Sequence, residues 1–370
     1  MPEDSLLRPE LGALAPYNAG LTIEEIAARP GVTRIAKLGS NENLHGAAPG
    51  VAAALRDAAA ATHLYPDPQG RRLAARLGEE LGVPPGWIVL GDGSEDLLNV
   101  IARATLRPGD RVVVLYPSFP LHEDYARMMG AEVIRIGLTA EGRIDIDALA
   151  AAMAAPVRLV MIANPMNPAG AWLDPAALDR VLAAQRRDTL LVMDEAYVEY
   201  AAHGDFRSAA ESLTAHDRPM IVLRTFSKAW GLAALRIGFG ATNDAGLRRG
   251  LDLVRTPFNT SHLAQVAALA ALEDPAHMEA AVAATVAERE KLAAALRGRG
   301  LRVLPSLGNF LFLDTGRPSV DVAAGLLDHG VIVKPWKQPG YESWLRVSIG
   351  LPEDSAQFLA ALQAVLDRPA

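Results

Sequence analysis

The stretch RLVMIANPMNPAGAWLDPAALDRVLAAQRRDTLLVMDEAY, residues 158–197, contains two short apolar runs, RLVMIA (158–163) and TLLVM (189–193). Between them lie a turn and a segment of helical length, ALDRVLAAQRR (177–187). A run without polar alternation suits a strand buried on both faces, and a helical connection is what joins two parallel strands. The same alternation extends outward through WIVL (87–90), RVVVL (111–115), EVIRI (132–136), MIVLR (220–224) and RIGFG (236–240). The pattern predicts an α/β protein whose large domain, 46–255, has a mostly parallel sheet sandwiched by helices. The charged helical stretch at 278–300 is followed by LRVLP (301–305), NFLFLD (309–314), VIVKP (331–335), WLRVSI (344–349) and a helical segment at 353–367. These predict a smaller α+β domain over 256–370. Residues 1–45, irregular and rich in turn formers, are expected to form an arm packing on the small domain or on a partner.

Composition narrows the chemistry. With 370 residues, half of them hydrophobic and 21% charged, the chain can bury a large core. It has no cysteine, which excludes disulfides, thiolate metal sites and cysteine nucleophiles. A formal net charge of −7 gives no basic footprint for nucleic acid. The histidines are scattered without ligand spacing, so no catalytic metal is expected. No apolar run approaches the ~20 residues of a membrane span. The acidic opening MPEDSLLRPE lacks an apolar signal core, so a cytoplasmic location is expected. Lysine occurs only at positions 37, 228, 291, 334 and 337. Arginine does not deprotonate in proteins, so any amine nucleophile is one of these five.

In open α/β sheets ligands bind beyond the carboxyl ends of the strands. WIVL is followed by GDGSED, with Ser94 a good N-cap and helix amides that suit an anion. The loop is not GxGxxG, which argues against a dinucleotide. RLVMIA is followed by NPMNPAG, a turn that holds Asn164 and Asn167 in place. TLLVM is followed by DEAYVEY, where a buried strand ends in a carboxylate that needs a cationic partner. MIVLR is followed by TFSKAWGLAALRIG, and only Lys228 among the five lysines follows a buried strand with hydroxyls beside it.

These strand ends assemble into a pyridoxal-phosphate site. Lys228 is the amine that attacks the aldehyde, and burial with nearby cations favours its neutral form. Asp194 faces the pyridine nitrogen and keeps it protonated. Asn167 and Tyr197 suit the ring's 3-oxygen. Ser94, Thr225, Ser227 and Arg236 suit the phosphate.

The chain resembles the fold-type I aminotransferases, and more closely the histidinol-phosphate aminotransferase family, over nearly its whole length. The resemblance is carried by LAPYNAG (14–20), KLGSNEN (37–43), YPDPQG (65–70), NPMNPAG (164–170), DEAY (194–197), SKAWGLAALRIG (227–238) and WLRVSIG (344–350). It implies that Lys228 is the Schiff-base residue, that Arg236 binds the cofactor phosphate, and that Asp194, Tyr197 and Asn167 bind the ring. It also implies a homodimer with shared sites, in which Tyr65 reaches the neighbouring subunit's cofactor phosphate. The resemblance further implies that an aromatic of YPSFP, Phe119 or its rival Tyr116, stacks on the ring, that Arg346 binds the substrate's acidic group, and that Tyr17 lines the same pocket.

Two positions depart from the family pattern. The acidic pair reads Glu95-Asp96 where the family usually has Asp-Glu; Glu95 is counted with the cofactor-binding residues. Lys334 stands where histidinol-phosphate enzymes tend to carry arginine, and is counted as substrate-binding. The expected reaction is transfer of an amino group from histidinol phosphate to 2-oxoglutarate. A broader aromatic or aliphatic amino-acid aminotransferase, or a decarboxylase of a phosphorylated amino acid, would use the same machinery.

Overall fold

The computed structural model describes residues 6–16, 20–27, 31–201 and 204–368. Its centre is a seven-stranded sheet formed by β1 (Ile88–Gly91), β2 (Arg111–Leu115), β3 (Glu132–Ile136), β4 (Leu159–Ala163), β5 (Leu190–Asp194), β6 (Met220–Thr225) and β7 (Gly238–Thr242). The order across the sheet is β1-β7-β6-β5-β4-β2-β3. Strands β2 to β6 run parallel, and β7 is antiparallel to both of its neighbours. Every residue of β4 and β5 is buried, as their unbroken apolar runs require. Each such Val, Leu or Ile contributes about 1.5–3 kcal/mol on burial. The chain order of the strands reverses between β2 and β4, which opens a crevice at their carboxyl ends.

The helices used below are α1 (Pro49–Ala58), α2 (Gly93–Thr105), α3 (Pro120–Met128), α4 (His262–Leu272), α5 (Pro275–Gly298) and α6 (Pro352–Leu366). A second sheet comprises β8 (Arg302–Val303), β9 (Phe310–Asp314), β10 (Lys334–Pro335) and β11 (Trp344–Ser348), in the order β10-β11-β9-β8. Its core includes Leu292, Leu311, Val347 and Phe358, together with Ala36 and Leu38 from the N-terminal region. Ala36–Lys37 pairs in parallel with Val331–Ile332. The turn Pro9–Ala13 instead lies against α3 of the large body. Helix α4 packs on α1, and its alanines belong to the large core. From this packing we propose that the two bodies divide within α5, downstream of the 255/256 border expected from sequence.

The sequence placed an N-cap at Ser94, and the structure corrects it. Helix α2 begins at Gly93, with Asp92 in the cap position and no side-chain cap bond. Gly93 has φ +78, so the chain enters the helix through a backbone conformation that glycine tolerates, one residue before the serine.

Candidate active site

A cavity of about 890 Å³ opens at the carboxyl edge of the large sheet. The ends of β4, β5 and β6 form its floor, and residues 334–339 with Arg346 of the small body form its opposite wall. Ser94, Glu95, Phe119, Asn167, Asp194, Tyr197, Thr225, Ser227, Lys228, Arg236, Lys334 and Arg346 all line it. Asn164, Tyr116 and Tyr65 are not among its lining residues. Tyr17 lies outside the described residues. Tyr65 is 82% exposed and stacks on Phe258, with ring centroids 4.5 Å apart.

One end of the cavity is built for an anion. The first amides of α2 have no partner within the helix, and the dipole adds to their pull. Arg236 donates from Nη1 to Ser227 Oγ at 3.2 Å and from Nη2 to the Asp92 carbonyl at 3.3 Å. It holds φ +53, an uncommon conformation for a residue with a side chain. A Cβ on Gly93 would collide with the Arg236 guanidinium, and one on Gly238 would come within 2.5 Å of the Ser94 nitrogen. The two glycines thus let strand, helix start and guanidinium approach closely enough to form a cradle. The acidic pair is engaged elsewhere. Glu95 Oε1 accepts from Tyr125 Oη at 2.6 Å, and Asp96 Oδ2 accepts from Asp92 N and Asn259 Nδ2. Glu95 can therefore serve an anion through its backbone N–H, while Tyr125 occupies its carboxylate.

Lys228 Nζ donates to the Ser40 carbonyl at 2.9 Å and lies 5.9 Å from the centre of the Tyr197 ring. Burial pushes this amine down from its ordinary range to about 7, with Arg346 and Arg236 adding to the effect. Glu42 and Asp194 oppose the shift. Near neutral pH a substantial fraction of the amine is unprotonated, which a nucleophile and proton carrier requires.

Asp194 ends β5 with its Oδ2 3.0 Å from His122 Nε2. The other nitrogen of His122 is buried with no partner, so Nε2 is the nitrogen that donates to the carboxylate. Asn167 Oδ1 accepts from Arg346 Nη1 at 2.8 Å, which turns Asn167 Nδ2 towards Tyr197 Oη, 3.4 Å away. Phe119 occupies the cap position before α3 and lies edge-on to His122, with centroids 5.8 Å apart. Its rival Tyr116 donates instead to the Pro339 carbonyl at 2.7 Å and lies beneath Arg135.

The opposite wall carries a second cationic group. Lys334 and Arg346 are direct register partners in the β10–β11 ladder, so both side chains leave the same face. Like charges placed opposite each other repel, and burial with Arg346 and Lys337 pushes the Lys334 amine down to about 8. Lys337 joins the lining. The sequence reading missed Lys337, His122 and Tyr125. Lys337 is an exposed loop lysine by every local sign, and the other two are helical residues whose partners lie 72 and 30 positions away.

An amine near neutrality, a carboxylate at a buried strand end, amide and phenol donors, and a hydroxyl–guanidinium–helix cradle fit the groups of pyridoxal phosphate one by one. The comparisons agree. The family model for aminotransferase class I and II matches residues 33–362. The chain is 52% identical over 361 residues to histidinol-phosphate aminotransferase 1 of Mesorhizobium japonicum, covering 98% of each chain. It is 50% identical over 359 residues to histidinol-phosphate aminotransferase 3 of Rhizobium meliloti, covering 97% of each. Its structure superposes with a TM-score of 0.88, at 30% identity and 98% coverage of both chains, on the Sinorhizobium meliloti histidinol-phosphate aminotransferase crystallised with pyridoxal-5′-phosphate.

Proposed function

Because the chain belongs to the histidinol-phosphate aminotransferase family, within the class I and II aminotransferases, and is a pyridoxal-phosphate-dependent transaminase, we propose that its amino donor is histidinol phosphate and its acceptor 2-oxoglutarate. The observation that carries the choice of donor is the Lys334–Arg346 pair, two cations held opposite each other on a cavity wall, apart from the Arg236 cradle. An anion on the donor relieves that repulsion and forms charge-assisted bonds with both side chains. Histidine biosynthesis, and with it the cytoplasm, is the setting such a donor implies.

When bound, pyridoxal phosphate supplies an aldehyde for the donor's amine and a ring that withdraws the electrons released at the donor carbon. Ser94, Thr225, Ser227 and Arg236 hold its phosphate, Phe119 covers its ring, and Asn167 and Tyr197 meet its 3-oxygen. Asp194, oriented by His122, keeps the ring nitrogen protonated. Lys228 Nζ would take the proton from the donor carbon and hold it for return, serving as general base and then general acid. General acid–base catalysis of this kind typically contributes about 10²–10⁴-fold. Arg346 clamps the acidic group of either substrate. Two half-reactions through one site give ping-pong kinetics.

We also propose a homodimer with shared sites. Leu64, Tyr65, Leu253 and Phe258 are large apolar residues left exposed on the single chain. Phe258 holds a left-handed φ of +57, a conformation a bulky residue keeps only where its surroundings require it. A second subunit covering this region would bring Tyr65 to the neighbouring cradle. Among the described residues no helix is long and apolar enough to cross a membrane.

The donor assignment is tested by comparing histidinol phosphate with histidinol and phenylalanine. The expected kcat/KM for histidinol phosphate is at least about 100-fold the higher of the other two, the effect of two charge-assisted contacts. Equal rates with phenylalanine would establish the broader aminotransferase. Carbon dioxide release from a phosphorylated amino acid, added as a further substrate, without consumption of oxoacid would establish a decarboxylase. A pH profile adds a second check. Lys334 is cationic below about pH 8 and neutral above, so kcat/KM for the phosphorylated donor should fall as pH rises through that value. Lys334→Arg, charged throughout, should remove this limb.

A further inference from the structure

Asn41 sits between the two bodies, 0% exposed and with φ +58. No local sign in KLGSNEN marks it out from its neighbours. Its own N–H donates to Ser348 Oγ at 2.8 Å, and Ser348 Oγ gives its proton back to Asn41 Oδ1 at 2.8 Å. Asn309 Nδ2 holds the Asn41 carbonyl at 3.0 Å. With Oδ1 taken by a hydroxyl, the amide nitrogen faces the other way and donates to Tyr197 Oη at 3.0 Å. The reverse orientation would leave the Ser348 proton without an acceptor among the described residues.

Tyr197 Oη therefore accepts from two amides, Asn41 at 3.0 Å and Asn167 at 3.4 Å. A phenol has one proton to give. Because both amides donate to its oxygen, neither takes that proton, and Tyr197 lines the cavity. We propose that Asn41 is a positioning residue for Tyr197: by donating to the phenol oxygen, it directs the Tyr197 proton to the 3-oxygen of the bound cofactor. Chained hydrogen bonds polarise one another, so Asn41 also makes Tyr197 the stronger donor. Ser348 lies on β11 with Arg346, so the strand that clamps the substrate also sets the orientation of the amide behind the ring. The proposal rests on the reading of Tyr197 as the donor to the 3-oxygen.

The test is a pH titration of the visible absorbance of the holoenzyme in the absence of substrate. A donor to the 3-oxygen stabilises negative charge there and holds the titration midpoint down. Tyr197→Phe should raise the midpoint. Asn41→Gly deletes the amide while glycine accommodates the positive φ, and should raise it by about half a unit to one unit. Asn41→Asp keeps the shape and the Ser348 contact but replaces the amide donor with an acceptor that draws the Tyr197 proton away. It should raise the midpoint at least as far. In the Tyr197→Phe background, Asn41→Gly should add nothing. A shift from Asn41→Gly that persists undiminished in that background overturns the proposal, because Asn41 then acts by another route. So does an unmoved midpoint in Asn41→Gly when Tyr197→Phe alone moves it. If Tyr197→Phe itself has no effect, the reading of Tyr197 fails, and the proposal with it.

Discussion

Lys228→Ala lowers kcat/KM for the amino donor by at least about 10⁴-fold, because one substitution removes both the nucleophile and the proton carrier. No other lysine can take over. Lys37 is paired with Glu42 at 2.6 Å, Lys291 is exposed on α5, and Lys334 and Lys337 belong to the opposite wall. Uptake of pyridoxal phosphate should survive in weakened form, since Ser94, Thr225, Ser227 and Arg236 are untouched. Steady-state kinetics measures the first effect and equilibrium dialysis the second. A variant within tenfold of the parent would remove Lys228 from the chemistry. A variant that is inactive and also takes up no cofactor would assign Lys228 to binding.

Asp194→Asn lowers kcat by about 10³-fold, comparable with the loss of one preorganised electrostatic contact in a desolvated site. The substitution is close to isosteric, and the amide oxygen it introduces can still accept from His122 Nε2, at the loss of the bond from Ala196 N–H to the other oxygen. What changes is the group turned to the ring. An amide N–H₂ donates to an unprotonated nitrogen and cannot hold a protonated one, so the ring loses its pull on the electrons at the donor carbon. The loss should appear in kcat rather than KM, because the substrate's acidic group is held by Arg346 on another element. Parental kcat in the Asp194→Asn variant would show that the carboxylate has no electronic role.

The large sheet was legible because its inner parallel strands are buried on both faces and read as apolar runs; the edge strand EVIRI, exposed at Glu132 and Arg135, is the exception. RVVVL and EVIRI became β2 and β3 residue for residue, and RLVMIA and TLLVM became β4 and β5 with ends shifted by one. The strand order was not legible, since an apolar run does not name its neighbour; β7, antiparallel between β1 and β6, looks like the rest. The site was legible where it hangs on strand ends. Lys228, Asp194 and Asn167 each follow a buried run, and the cavity lies where those ends meet. What stayed hidden are contacts made by folding. The bonds from His122 to Asp194 and from Asn41 to Tyr197 span 72 and 156 positions. The acidic pair of the phosphate loop looked like a conflict in sequence. In three dimensions Tyr125 and Asn259 hold both carboxylates by hydrogen bonds of their own.

The central claim is that one desolvated amine among five carries the cofactor. The most direct measurement is to saturate the purified protein with pyridoxal phosphate, reduce it with borohydride and locate the adduct by peptide mass spectrometry. The expected result is a visible band that vanishes on reduction and a single modified lysine, Lys228. Because its free amine titrates near 7, labelling should already be efficient at neutral pH and should fall off as the solution is made acidic. An adduct spread over Lys37, Lys291, Lys334 and Lys337, or one absent from Lys228 at saturating cofactor, would contradict it.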